Sequence, residues 1–141
     1  MDLVIYGLIN SLILALMAIG FALAYSVSRV PNFAHGALYI LTAYLSWIFL
    51  NQLGLNYILC IILSIVITAI VGWLIYGLVL IRVRGMPSSE IIASFSIGVA
   101  ILEFLRWHGL RGGTFTLPSF VPGTIHLSGT PVDLQRIFVV V

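Results

Sequence analysis

Residues 3–28 contain no charged residue and no proline, a run longer than the roughly 20 apolar residues that carry a helix across a bilayer. Arg29 and Pro31 end it, because proline lacks an amide donor and its ring clashes with the preceding turn. A second apolar run covers residues 36–53 and closes at Gln52-Leu53-Gly54-Leu55-Asn56. A third covers 57–81 and stops at Arg82-Val83-Arg84-Gly85-Met86-Pro87. A fourth begins near Ser89 and fades at Glu103-Phe104-Leu105-Arg106. The pattern predicts four full transmembrane helices.

After Trp107 the chain turns to glycine, proline, serine and threonine, the chemistry of loops. Residues 107–134 are expected to form an extracytoplasmic loop. The closing run Ile137-Phe138-Val139-Val140-Val141 is too short to cross a bilayer and reads as the first turns of a fifth helix, cut off. The expected fold is all-α: a polytopic transmembrane bundle of four full spans and the start of a fifth. Residues 1–141 then form the N-terminal part of a single membrane domain.

Composition supports this and narrows the function. Hydrophobic residues make up 62% of the chain and charged residues 7%, against about a quarter charged in soluble domains. With a mean hydropathy of +1.22, this chain has more apolar side chain than a soluble domain of its size can bury. Asp2 and the length of the first run argue for a retained helix rather than a cleaved signal peptide. The six cations, all arginine, are scattered over loops, which excludes a nucleic-acid patch. The single cysteine, Cys60, excludes an internal disulfide. His35, His108 and His126 lack metal-ligand spacing, and no nucleophile elbow or phosphate loop is present. The chain does not read as an enzyme.

Small residues recur at about every turn: Gly7, Ser11, Ala15, Ala18, Ala22 and Ser26 in the first span, Ser64, Thr68 and Gly72 in the third, Ser94 and Gly98 in the fourth. Such stripes let helices approach closely where lipid offers no hydrophobic contrast. Arg29, Arg82 and Arg84 place their two loops in the cytoplasm by the positive-inside rule, and the amino terminus outside. Glu103 and Arg106 are spaced to pair on one helix face, and Glu90 sits in a first helical turn where a carboxylate suits the helix dipole.

The most unusual stretch is Arg29-Val30-Pro31-Asn32-Phe33-Ala34-His35-Gly36, which puts a cation, an amide and an imidazole between two apolar spans with hardly any linker. Two readings stand. It is a tight interfacial turn whose polar groups meet headgroups, or a break at membrane depth, where irregular backbone persists only if it is buried in protein or lines a wet cavity.

Asn32-Phe33-Ala34-His35-Gly36, running into Ala37-Leu38-Tyr39-Ile40-Leu41-Thr42-Ala43-Tyr44, resembles the signature of LivH-type permeases of branched-chain amino-acid ABC importers, with Thr42 where the family has the glycine of "GAY". Gly20-Phe21-Ala22-Leu23-Ala24-Tyr25-Ser26 is similar to the family's approach to that signature. Arg84-Gly85-Met86-Pro87 and Ile92-Ala93-Ser94-Phe95-Ser96-Ile97-Gly98 resemble its "RG-x-P" loop and the helix after it, and Leu117-Pro118 has a counterpart. The partner subunit, LivM, typically has an "NLGH"-like sequence at the signature. The resemblance implies a multi-pass plasma-membrane permease of about twice this length. It implies a second, LivM-like permease subunit, two cytoplasmic ATPase subunits that use the ATP, and an extracytoplasmic binding protein, with no cofactor in this chain. Asn32, Phe33, His35, Gly36 and Tyr39 are the expected pathway or gating residues. The cargo expected is a branched-chain or similar small amino acid, with urea and short amides within the family's range. The alternative is a membrane scaffold or relic that keeps the helices without transporting.

Overall fold

A computed structural model describes residues 2–109, 123–127 and 130–133. The helices are α1 (Asp2–Ser28), α2 (His35–Asn51), α3 (Tyr57–Ile75) and α5 (Pro87–His108). α3 does not end at Ile75. It passes through a π-helical segment, Tyr76–Leu80, into the short α4 (Ile81–Val83), giving one unbroken rod from Tyr57 to Val83. Nothing in the apolar pattern announced the π turn, because five more apolar residues read alike in either helix.

By length and composition three helical stretches can cross a membrane: Tyr6–Ser28, Tyr57–Val83 and Pro87–His108. The expected four full spans are therefore met by three among the described residues. α2 has 17 residues, about 25 Å at the helical rise, which is the lower limit for a crossing. The expected start of a fifth helix lies outside the described residues. Within the stretch expected to be a loop, α5 extends through His108. Beyond it β1 (Thr124–Leu127) and β2 (Thr130–Asp133) pair antiparallel, Thr124 opposite Asp133 and Leu127 opposite Thr130. Isoleucine, valine and threonine favour extended chain.

The chain divides into two compact units, Met1–Leu23 with Pro118–Val141, and Ala24–Leu117. The first holds most of α1 and the hairpin. In the second, α2 packs against both α3 and α5, and the π segment meets α5. Its buried positions include the small residues Ala34, Ala37, Cys60, Ser46, Ser64 and Ser94, with Val30, Leu38, Leu80, Glu90 and Leu105 the larger ones. Ser64 and Ser94 are fully covered and donate to the carbonyls of Cys60 and Glu90, one turn back (2.7 and 2.8 Å). A hydroxyl satisfied by its own helix exposes no polar group at a close helix contact. The predicted stripes in α3 and α5 are thus real contact faces. Cys60, also buried, is a small packing residue whose thiol lies 3.5 Å from the Leu55 carbonyl oxygen.

Candidate functional site

The motif between α1 and α2 is a self-closed turn. Arg29 takes a left-handed conformation (φ 57°) while its amide still donates to the Tyr25 carbonyl (2.8 Å), which ends α1. The Val30 amide donates to Ser28 Oγ at 3.3 Å, and Val30 is buried. Asn32 then starts α2: its Oδ1 accepts from the Ala34 amide (3.1 Å), and its carbonyl accepts from the His35 amide (3.1 Å). An asparagine folding back on the backbone two residues ahead is the standard way for that side chain to open a turn. The side-chain oxygen of Asn32 therefore serves the fold directly.

Ala34 is fully buried at this turn because α5 lies against it. A Cβ added at Gly98 would sit 3.3 Å from the Ala34 Cα and 3.7 Å from the Phe33 carbonyl oxygen, so glycine is what permits the approach. Gly98 is midway along α5. At 1.5 Å per residue it lies about 15 Å from either end, and the Asn32–His35 turn lies at that level. α2 then runs back along α3 in the opposite direction. Thr42 meets Thr68, with hydroxyl oxygens 3.0 Å apart, and Leu38 Cδ1 would lie 3.7 Å from a Cβ at Gly72.

Between the end of α1, α2, α3 and the π segment a cleft of about 490 Å³ opens. Asn32, His35 and Tyr39 line one wall, with Ser28 and Thr42; Thr68 and Tyr76 line the other. Three of the five expected site residues thus come together. Phe33 is exposed and Gly36 half-buried, and neither is part of that wall. The lining side chains are hydroxyls, an amide, an imidazole, phenols and alkyl groups, with no carboxylate and no arginine among them. Thr68 and Tyr76 escaped the sequence reading, which weighed Thr68 only as a packing residue. The antiparallel pairing of α2 with α3 is what carries them to the motif.

Away from the cleft the acidic and basic side chains take simpler roles. Glu90, 7% exposed, accepts from the Gly85 amide through Oε1 (2.7 Å) and so ties the Arg84–Pro87 turn to α5. Gly85 takes φ +90°, a conformation that suits glycine. Glu103 and Arg106 pair at 3.4 Å on an exposed face, as their spacing predicts. Among the described residues no cluster of metal-ligating side chains forms.

Residues 3–139 match the family described as the permease component of the branched-chain amino acid transport system. The chain belongs to that family. The match covers the motif turn, the cleft and all the described helices. Comparisons with curated proteins and with solved structures find no match. A branched-chain amino acid permease component is a membrane protein and a transporter part, in keeping with three membrane-capable helices.

Proposed function

We propose that this chain is a membrane-spanning permease component of an ABC importer in the plasma membrane, moving branched-chain or similar small amino acids, and that its α2–α3 cleft forms part of the path. The observation that supports this is the level of the motif turn. If α5 crosses the bilayer, a turn abutting its midpoint stands about 15 Å inside, close to half the hydrocarbon thickness. The sequence allowed an interfacial turn or a break at membrane depth, and this placement favours the second. Backbone that is not helical at that depth has to be covered by protein or line a wet cavity, and the cleft beside Asn32 and His35 supplies the cavity.

In this reading the loop bearing Arg82 and Arg84 is cytoplasmic, and α2 starts at the depth of the motif turn and runs antiparallel to α3 towards the opposite face. A second permease subunit completes the path, two ATPase subunits supply the energy, and an external binding protein selects and delivers the cargo. Asn32 sets the turn, and His35 and Tyr39 offer the cargo hydrogen-bonding groups beside the hydroxyls of Ser28 and Thr42. Modest affinity suits a conduit, since tight binding would hold the cargo in place.

The test is uptake of labelled leucine, isoleucine and valine into proteoliposomes holding the complete transporter. His35→Ala with Tyr39→Phe should lower uptake per assembled complex by about tenfold or more, the scale of one lost hydrogen bond to a cargo in transit. Unchanged uptake would reduce the motif to a structural turn.

A further inference from the structure

A second cleft, of about 420 Å³, continues along the same seam between α2 and α3, bounded at its far end by Leu50 and Tyr57. Tyr39 and Thr42 line both clefts. The two spaces therefore adjoin at Thr42, near the middle of α2. There the Thr42 and Thr68 hydroxyl oxygens stand 3.0 Å apart. Each also stands 2.8 Å from the carbonyl oxygen one turn back on its own helix, Leu38 for Thr42 and Ser64 for Thr68.

A hydroxyl has one proton to give. Two protons thus serve three contacts, and the bridge between helices forms only when one threonine turns its proton across. When the helices part, that proton swings back to its own carbonyl. No polar group is left without a partner, so opening this contact avoids the penalty that an orphaned donor meets away from water. The fixed contacts nearby differ: Ala34 against Gly98 joins backbone to backbone, with no alternative arrangement to fall back on.

We propose that the Thr42–Thr68 hydroxyl pair, with Tyr39 beside it, is the constriction of the cargo path, closed when the bridge is made and open when each hydroxyl returns to its own helix. This rests on the permease reading and adds to it the two gating residues and the way they open. The freed hydroxyl oxygens keep acceptor capacity for the ammonium group of a passing amino acid. The walls on both sides hold no carboxylate and no arginine to pair with a charged side chain.

The experiment uses the complete transporter in proteoliposomes. Thr42→Cys with Thr68→Cys is oxidised to a disulfide. Uptake should fall to background in the cross-linked complex and return on reduction, with neither single variant responding to oxidant. A fully cross-linked complex that still transports overturns the proposal. A second pair, Thr42→Val with Thr68→Val, removes both hydroxyls at nearly constant volume. Uptake per assembled complex should drop by about tenfold, while Thr42→Ser with Thr68→Ser keeps it. Normal uptake with the valine pair makes the hydroxyls packing groups only, which also overturns the proposal. If the unmodified complex moves no amino acid, the permease reading fails. The constriction is then judged by disulfide yield in nucleotide-free and vanadate-trapped complexes: unequal yields support it, and equal yields overturn it.

Discussion

Replacing Gly98 sets two opposed effects against each other, and the geometry decides which wins. In an open helical position, glycine to alanine gains about 0.8–1.0 kcal/mol from helix propensity. At Gly98 the new methyl would stand 3.3 Å from the Ala34 Cα. That neighbour is backbone in a turn fastened by Asn32 at two points, so it cannot rotate aside as a side-chain tip would. Forcing a methyl into such a site costs about 1–3 kcal/mol. Gly98→Ala should therefore come out destabilising by about 1 kcal/mol, and Gly98→Val, larger and β-branched, by about 3 kcal/mol. Gly7 supplies the contrast, since a Cβ there meets nothing within 4 Å, and Gly7→Ala should gain up to about 1 kcal/mol. Equilibrium unfolding of the purified chain in mixed detergent micelles, titrated with SDS and followed by tryptophan fluorescence, reads all three. If Gly98→Val unfolds at the wild-type SDS fraction, or Gly98→Ala gains as Gly7→Ala does, the close approach of α5 to the motif turn is refuted.

Two smaller perturbations test the turns outside the cleft. Glu90→Ala removes the acceptor of the Gly85 amide and should cost about 1–3 kcal/mol in the same titration, whereas Glu90→Gln keeps an acceptor oxygen and should lose less; equal losses would mean the hydrogen bond is not the cause. For Glu103 and Arg106, a double-mutant cycle with alanine should give a coupling of at most about 0.5 kcal/mol, because both side chains are exposed. A coupling of several kcal/mol would show that the pair is covered in the assembled transporter.

Apolar runs marked the helices well, because a crossing helix must be apolar for its full length and arginines and prolines punctuate it. The stripes Ser64-Thr68-Gly72 and Ser94-Gly98 foretold contact faces for the same reason: only small residues let membrane helices touch. What local pattern could not carry was register. Nothing in the neighbourhood of Thr42 says that Thr68 faces it, since that depends on where α2 stops and reverses. The role of Asn32 was half legible. Its residue type suits both a turn and a cargo contact, and only the Ala34 amide beside it shows which task occupies the oxygen. Glu90 was expected to complement a helix dipole, and its burial and its bond to Gly85 became visible only once the turn was folded.

The π segment has a consequence for how a straight seam is built from a helix. Cys60, Ser64, Thr68, Gly72, Tyr76 and Leu80 are spaced by four, and each either lines a cleft or is buried. In an α-helix, four residues overshoot a full turn by about 40°, so such a row winds steadily around the rod and would leave its partner behind. A wider turn needs more residues to come around, and four of them then fall short. The step from Tyr76 to Leu80 spans that turn and winds the row back. One local change of pitch thus brings Leu80 back to about the direction of Gly72, and Gly72, Tyr76 and Leu80 all face the one cleft.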